Sequence, residues 1–261
     1  MKLFSMALNP QIRRVHSLAS TNSEIARLAL EGAEEGLCIV ADEQTAGRGR
    51  LQRQWISPSG AGLYFSILLR PLAATDKWSL LTLMTAVAVA ETLRVTGSSE
   101  PDIKWPNDVL LNGRKVCGIL AETVETPSGR AIVLGIGINL TATAFPPELA
   151  VTAISLEEAT GQRVERETVL AALVSRLRHY YELFQQGSHG QILDEWRQRS
   201  SYASGKLVRV ATGEEIIQGV TRGLEANGAL RVETANGAIK IVHAGDVTAL
   251  RPYEQSSPGS P

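Results

Sequence analysis

The stretch KWPNDVLLNGRKVCGIL, residues 104–120, decides the fold because it contains two apolar runs on either side of a tight turn. The turn is Asn112-Gly113, and Asn-Gly favours the positive φ angles that a two-residue hairpin loop needs. Residues 109–111 and 116–123 are therefore predicted to pair as antiparallel strands. Residues 132–140 form the next apolar run and are predicted to add a further strand.

Upstream of this hairpin, the sequence predicts helices that alternate with strands. Thr21 and Glu24 have the T-x-x-E spacing of a capping box, so a helix is predicted to begin near residue 21. Strands are predicted at residues 37–41 and 63–69. Residues 79–94 are apolar on most faces, which is typical of a buried helix. Together these elements predict an α+β fold, in which helices pack against a mixed β-sheet.

Downstream of residue 140 the pattern changes twice. Residues 164–199 carry apolar side chains at helical spacing. From Gly205 onward, short β-branched runs alternate with the turns Asn227-Gly228 and Asn236-Gly237, which predicts about five short strands up to Leu250. These strands are predicted to form a small β-barrel-like unit. The tail SSPGSP is predicted to be disordered.

Composition argues against several classes of protein. The chain has 261 residues with 26 basic and 27 acidic side chains, and this balance argues against a dedicated nucleic-acid binder. Cys38 and Cys117 lie in separate apolar runs, which predicts buried thiols rather than a disulfide or a metal site. The N-terminus lacks the apolar core of a signal peptide, and no uncharged apolar segment reaches the ~20 residues that span a bilayer. A soluble cytoplasmic protein is therefore predicted.

The loop QTAGRGRLQRQW, residues 44–55, concentrates positive charge on flexible backbone. Gly47 and Gly49 allow the chain to approach a ligand closely. The guanidinium groups of Arg48 and Arg50 offer a planar fork of donors that matches carboxylate or phosphate oxygens. The glycine spacing fits neither a P-loop nor a dinucleotide-binding fingerprint. The sequence thus leaves two interpretations, an anion-binding loop and a solvated surface loop.

Two further stretches carry candidate ligand-binding groups. A carboxylate at Asp108 is suited to Mg²⁺ or to a ligand amine, although Asn107-Asp108 is equally compatible with a simple turn. Lys115 follows the hairpin turn and faces either a ligand or solvent. The stretch GIGINL, residues 135–140, has two glycines in a strand, which indicates a close approach to the backbone. The sequence contains neither HExxH nor G-x-S-x-G, so metal-dependent hydrolysis and serine-triad chemistry are not predicted.

Taken together and in order, these stretches resemble the biotin protein ligase family. The matching motifs are Ser20-Thr21-Asn22, Gln44 with Gly47-Arg48-Gly49-Arg50 and Trp55, Lys104-Trp105-Pro106-Asn107-Asp108, Arg114-Lys115 with Gly118-Ile119-Leu120, and Gly135-Ile136-Gly137-Ile138-Asn139. They cover roughly residues 15–140, and the later helices and the small β unit fit the family's domain order. The resemblance implies a biotin/lipoate ligase fold, similar to class II synthetases, with an SH3-like C-terminal barrel.

The resemblance also implies domain boundaries. Residues 1–14 would be an N-terminal segment, 15–200 the catalytic domain, 203–253 the small β domain and 254–261 a disordered tail. Family members that also repress transcription carry an N-terminal helix-turn-helix domain, and fewer than twenty residues precede Ser20 here. A short form that binds neither DNA nor membranes is therefore predicted, with a homodimer as a possible assembly.

The activity that the resemblance implies has two steps. The family joins biotin to ATP, with Mg²⁺ as cofactor, which gives biotinyl-5′-AMP and pyrophosphate. It then transfers the biotinyl group to one lysine of a biotin carboxyl carrier protein domain. The alternatives are a lipoate–protein ligase of related fold, a biotin-sensing DNA-binding regulator and a non-catalytic ligand-binding protein.

The family's functional residues carry over to the matching positions. Biotin would contact Ser20, Thr21, Asn22, Gln44, Arg48, Gly49, Arg50, Trp55, Lys115 and Gly118. ATP would contact Arg50, Asn107, Asp108, Lys115 and Asn139. Arg50, Lys115 and Asp108 would be catalytic. The two cations would neutralise charge where the carboxylate of biotin meets the α-phosphate, and Asp108 is also the candidate Mg²⁺ ligand.

Overall fold

The larger unit of the chain is built on one seven-stranded sheet. The computed structural model describes residues 8–97, 100–142, 146, 148–213 and 215–250. The strands of this sheet are β1 (Gln11–Leu18), β2 (Leu37–Gln44), β3 (Gly62–Leu69), β4 (Asp102–Lys104), β5 (Asp108–Leu111), β6 (Arg114–Thr126) and β7 (Gly129–Asn139). Their order is β1-β2-β3-β7-β6-β5-β4. β1 runs parallel to β2 and the other neighbours are antiparallel, which confirms the predicted mixed sheet.

Helices pack on both faces of this sheet. They are α1 (Thr21–Leu30), α2 (Leu80–Val95), α3 (Leu156–Thr160), α4 (Arg166–Gln185) and α5 (His189–Gln198). α1 packs on one face through Ile25 and Ala29, against Ile39, Leu68 and Val133. α2 packs on β4, β5 and β6 and also contacts α4 and α5. Because α2 is covered by the sheet and by two helices, it is apolar on most of its faces, as predicted.

Alternation along β7 divides its side chains between the two faces of the sheet. Val133 packs beneath α1, whereas Leu134 belongs to the core around α2. Gly135 and Gly137 lie on the same face of β7 as Val133, the face on which α1 packs. Gly118 of β6 pairs with Gly137. Because none of these three glycines has a side chain, this part of the sheet surface is open. It forms the base of a cavity.

A second, smaller sheet follows α5. Its strands are β8 (Ser204–Ala211), β9 (Ile216–Leu224), β10 (Leu230–Glu233), β11 (Ile239–Val242) and β12 (Asp246–Ala249), in the order β11-β10-β9-β8-β12. All neighbours are antiparallel, as predicted for the small β unit, and the predicted tail at 254–261 lies outside the described residues. The turn Asn227-Gly228 contacts two residues of the larger unit, Ser79 just before α2 and Trp105 just after β4. Trp105 Nε1 donates to Gly228 O at 3.0 Å, and Ser79 Oγ donates to Asn227 O at 2.5 Å.

Two local features differ from what the sequence predicts. The sequence does not predict β1, because most of its side chains are exposed and no apolar face repeats along it. A domain boundary at residue 15 falls inside this strand, since residues 11–14 pair with residues 37–40 of β2. The predicted capping box is wrong: Ser20 is the N-cap of α1, and the Thr21 hydroxyl donates to Gln44 Oε1. A tertiary contact therefore replaces the local one.

The environment of the cysteines agrees with the sequence. Cys38 and Cys117 are buried and free. Burial raises the pKa of the Cys38 thiol to about 12 and also raises the pKa of Cys117, so both thiols are protonated at neutral pH. Within the described ranges, no helix is long and apolar enough to cross a membrane.

The two Asn-Gly turns of the second sheet give a matched test of its contact with α2. Gly228 (φ +84°) and Gly237 (φ +81°) both adopt the left-handed conformation that alanine resists. A Cβ at Gly228 would lie 2.8 Å from Leu83 Cδ1, whereas one at Gly237 would have no neighbour within 4 Å. We expect Gly237→Ala to lower the free energy of unfolding by about 1–2 kcal/mol. Gly228→Ala should lower it by about 1–3 kcal/mol more. Urea denaturation measures both, and equal losses would contradict tight docking at Leu83.

Candidate active site

Every residue predicted to bind a ligand lines a single cavity of about 510 Å³. The cavity lies over the glycines of β6 and β7, on the face that α1 covers in part. The predicted residues that line it are Ser20, Thr21, Asn22, Gln44, Arg48, Gly49, Arg50, Trp55, Asn107, Asp108, Lys115, Gly118 and Asn139. Motifs that are far apart in the sequence therefore meet at one place in the fold.

The indole of Trp55 rests on the open strand surface. A Cβ at Gly137 would lie 2.5 Å from Trp55 Cε2, and one at Gly118 would lie 2.9 Å from Trp55 Cζ3. Only glycine at both positions leaves room for the ring. Lys115 Nζ lies 5.3 Å from the ring centroid, a distance that suits a cation–π contact. Trp55 therefore forms a wall of the cavity and also holds the lysine side chain.

The N-terminus of α1 contributes to a polar wall, which comprises Thr21, Asn22, Gln44, Ser57 and Ser66. The backbone N–H of Thr21 has no partner inside the helix, and it donates to Gln44 Oε1 at 2.8 Å. The Thr21 hydroxyl donates to the same oxygen at 3.0 Å, and Gln44 Nε2 donates to Ser57 Oγ at 2.9 Å. The Ser66 hydroxyl on β3 lies within 2.7 Å of Thr21 Oγ1 and within 2.6 Å of Asn22 Oδ1. These groups hold one another in place beside the cavity.

The amide of Asn22 is bonded at both ends. Its Nδ2 donates to Glu122 Oε2 at 2.8 Å and to the carbonyl of Leu120 at 3.3 Å. Its Oδ1 accepts from Ser66. A Cβ at Gly135 would lie 2.1 Å from this oxygen, so only glycine there leaves the amide in place. Asn22 thus contributes a fixed, buried amide to the polar wall.

The arginine loop folds back on itself like a short hairpin. Gln44 pairs with Ser57, and Arg48 pairs with Gln54. A Cβ at Gly47 would lie 2.3 Å from the carbonyl oxygen of Trp55, which explains the glycine at this position. Leu51 and Gln52 at the tip have φ angles of 53° and 63°, in the left-handed region. Two non-glycine residues in this conformation cost on the order of 1–2 kcal/mol each, so contacts elsewhere must hold the loop.

Each loop arginine has a partner outside the loop. Arg48 forms an ion pair with Glu122, and Arg53 forms one with Asp246 at the start of β12. Arg50 Nη1 donates to Asn107 Oδ1 at 3.2 Å and to the carbonyl of Gly245 at 3.2 Å. Burial lowers the pKa of the Arg50 guanidinium, although it stays protonated at neutral pH.

Lys115 and Asp108 form the second charged group of the site. Lys115 Nζ lies 2.6 Å from Asp108 Oδ1. The backbone of Lys115 is fixed by Thr152, whose carbonyl accepts from it at 2.8 Å, and by Ile154, whose N–H donates to it at 3.0 Å. Asn139 Nδ2 donates to the carbonyls of Ile154 at 3.2 Å and Lys115 at 3.4 Å. Its amide nitrogen therefore positions the lysine, although the sequence-based expectation is a contact with ATP.

The charge of the cavity favours an anionic ligand. The lining contains the cations Arg48, Arg50, Arg53, Lys104 and Lys115 but only the carboxylates Asp108 and Asp246. An excess of cations in a concave, partly buried site concentrates positive potential there. This arrangement supports the anion-binding interpretation of the loop over the solvated one.

Four residues of the site are not predicted from the sequence. Ser66 is the polar residue in the apolar strand GLYFSILL, and this break in the pattern is a signal that could identify it. Ser57 and Glu122 have no such signal, because they lie in segments where polar residues are ordinary. Asp246 lies in the second sheet, where no motif points to a ligand.

Comparison with known proteins gives consistent results along the chain. Residues 15–139 match the model of the biotin/lipoate A/B protein ligase family, and residues 203–248 match the biotin protein ligase C terminal domain. The chain is 37% identical to the bifunctional ligase/repressor BirA of Bacillus spizizenii, over 88% of this chain and 71% of that protein. It is 31% identical to the biotin–[acetyl-CoA-carboxylase] ligase of Mycobacterium tuberculosis, over 92% of this chain and 90% of that protein.

A solved structure agrees with the described fold. A biotin protein ligase from Aquifex aeolicus in complex with biotin and ATP superimposes with a TM-score of 0.81 at 32% identity. The match covers 93% of this chain and 99% of that chain, so it includes both sheets.

Gly137→Ala tests whether Trp55 rests on the open strand surface. The new Cβ would displace the indole from the sheet toward solvent, so we expect a red shift of tryptophan emission and faster quenching by acrylamide. Gly190→Ala is the control, because a Cβ there would meet no neighbour within 4 Å. Repeating the experiment with Trp55→Phe assigns the signal. A shift that persists without Trp55 would refute the proposed contact.

Proposed function

Because the chain belongs to the biotin protein ligase family, we propose that it activates biotin with ATP and transfers the biotinyl group to a lysine of a biotin carboxyl carrier protein domain. The observation that carries this proposal is the composition of the cavity. Arg50 and Lys115 lie in it with Asp108, beside the polar wall and the indole of Trp55. One site thus combines groups for a polar ring, an apolar chain and two anions.

In the first step, an oxygen of the biotin carboxylate attacks the α-phosphorus of ATP. The new oxygen–phosphorus bond forms as the bond from the α-phosphorus to the oxygen that bridges to the β-phosphate breaks. Pyrophosphate leaves with that electron pair, and biotinyl-5′-AMP remains. The carboxylate is ionised at neutral pH, so this step needs no general base.

The difficulty of this step is the approach of two anions, and the cations of the site reduce it. Arg50 and Lys115 supply positive charge where the carboxylate meets the α-phosphate. Arg50 is already partly buried, and its contacts with Asn107 and Gly245 fix it before a ligand arrives. Preorganised charge of this kind needs little rearrangement during the reaction.

Mg²⁺ fits this site through Asp108. Among the described residues, no three His, Cys, Asp or Glu side chains come together as a metal cage. Mg²⁺ is commonly bound by one or two carboxylates with substrate phosphates and water, and Asp108 supplies one carboxylate in the cavity. When bound, the ion would neutralise charge on the phosphates of ATP.

In the second step, the lysine amine of the carrier attacks the carbonyl carbon of biotinyl-5′-AMP. An amide bond forms, the bond from the carbonyl carbon to the phosphate oxygen breaks, and AMP leaves with the electron pair. The amine must lose a proton, and Asp108 is the candidate acceptor. The arginine loop would keep water from the mixed anhydride until the carrier arrives.

The polar wall favours biotin over lipoate. The ureido ring of biotin has hydrogen-bond donors and an acceptor, whereas the dithiolane ring of lipoate has neither N–H nor C=O groups. Thr21, Asn22 and Gln44 line the cavity with hydroxyl and amide groups. Beyond their bonds to one another, Gln44 Nε2 has a second N–H and Asn22 Oδ1 has a second lone pair. Leaving these unpaired beside an apolar ring carries a free-energy cost, which disfavours lipoate.

Pyrophosphate release tests this function directly. Biotin and ATP together should release pyrophosphate, and lipoate and ATP should not. Adding a biotin carboxyl carrier protein domain should then label one lysine of that domain with biotin. Release with lipoate at the same rate would favour the lipoate ligase alternative. Biotin binding without release would favour the non-catalytic one.

Lys115→Ala should mainly impair adenylate formation, because it removes a cation that faces both reacting anions. We expect pyrophosphate release to fall by about 10²–10³-fold. Biotin affinity without ATP, measured by calorimetry, should fall much less. Lys240→Ala is the matched control, since Lys240 is a half-exposed lysine paired with Glu215 on the second sheet. A normal rate in Lys115→Ala would show that Lys115 has no part in the chemistry.

Three further expectations complete the proposal. The cytoplasm is the proposed compartment, supported by ATP as substrate. The near-neutral charge supports the absence of sequence-specific DNA binding, which a gel-shift experiment tests. A homodimer stays a prediction that light scattering of the purified protein tests.

A further inference from the structure

Glu122 of β6 connects two parts of the site, although it does not line the cavity. Its Oε2 accepts from Asn22 Nδ2 at 2.8 Å, and its Oε1 pairs with the guanidinium of Arg48. We infer that Glu122 is a positioning residue for biotin, because it holds Asn22 of the polar wall and Arg48 of the loop at the same carboxylate. This inference rests on the proposed function.

The carboxylate of Glu122 and the carbonyl of Leu120 together set the orientation of the Asn22 amide. An ionised carboxylate only accepts hydrogen bonds, so it selects the orientation in which Nδ2 of Asn22 faces it. Oδ1 must then face Ser66, whose hydroxyl donates to it. With the amide reversed, its oxygen would face the carboxylate and its N–H groups would face Gly135. Glu122, at the shorter of these two contacts, therefore helps to determine which side of Asn22 belongs to the polar wall.

The same charge holds the first half of the arginine loop. Within the described residues, Arg48 has the carboxylate of Glu122 and the hydroxyl of Ser23, at 3.2 Å, as its side-chain partners. The side chains of Arg48 and Glu122 are 46% and 31% exposed, so the pair is partly shielded from water. A pair of this kind contributes more than a fully exposed one. Losing it would release the loop from the wall.

These contacts predict a particular kinetic signature. Glu122 bonds Asn22 and Arg48, whereas the proposed function places Arg50 and Lys115 at the reacting atoms. Replacing Glu122 should therefore weaken biotin binding and raise the KM for biotin while kcat changes little. A residue with a purely structural role would lower the melting temperature without this separation.

Glu122→Gln is the informative variant, and Glu125→Gln is its matched control. The glutamine amide oxygen can still accept from Asn22, but the negative charge opposite Arg48 is lost. Glu125 lies on the same strand and pairs with the exposed Arg130. We expect Glu122→Gln to weaken biotin binding about tenfold, as for a hydrogen bond between charged groups. Glu125→Gln should change it less than twofold.

Arg48→Gln and the double variant test the link itself. Both single changes break the same ion pair between Arg48 and Glu122. The double variant should therefore bind biotin no more weakly than whichever single variant has the lower affinity. Trypsin should cleave after Arg48 faster in ligand-free Glu122→Gln than in Glu125→Gln. Losses that multiply in the double variant would overturn the inference, as would a lower melting temperature with unchanged biotin affinity. If the unaltered protein binds no biotin at all, the proposed function fails as well.

Discussion

The site depends on three glycines that leave part of one face of the sheet without side chains. Gly118 and Gly137 make room for the indole of Trp55, and Gly135 makes room for the amide of Asn22. Glycine in a strand costs backbone entropy and loses packing, so the surrounding structure must supply contacts in return. Trp55 and Asn22 supply them, and the cavity is what they leave open.

The second constraint is the charge of the arginine loop. Arg48, Arg50 and Arg53 lie within six positions of one another, and their mutual repulsion opposes a compact loop. The ion pairs with Glu122 and Asp246 offset that repulsion in the structure. An anionic ligand would add to this compensation, so ligand binding and loop order are expected to favour each other.

The loop also makes the second sheet part of the site. Asp246 pairs with Arg53, and the carbonyl of Gly245 accepts from Arg50. The turn at Gly228 packs on α2 and accepts from Trp105, which lies beside the Asn107 and Asp108 motif. The smaller sheet thus contacts the larger unit at the turn of Gly228 and at the arginine loop, and the arginine loop lines the cavity. A rearrangement of this sheet would reach Arg50 directly.

The sequence by itself determined the features that arise from local patterns. The apolar faces of α2, the apolar run of β7 and the Asn-Gly turns each reflect neighbours within a few positions, so local patterns predict them. Every ligand-binding residue that the resemblance implied lines the cavity.

Only the tertiary structure decided how those residues act. Glu122 and Arg48 are 74 positions apart, and Arg53 and Asp246 are 193 apart, so no local pattern marks them as partners. Thr21 has the spacing of a helix cap, yet the helix begins one residue earlier, after Ser20, and the Thr21 hydroxyl donates to Gln44 instead. The sequence motif predicts that Asn139 contacts a ligand, but its amide nitrogen donates to two backbone carbonyls. Polar side chains bond whichever groups the fold places within reach, and that choice is made in three dimensions.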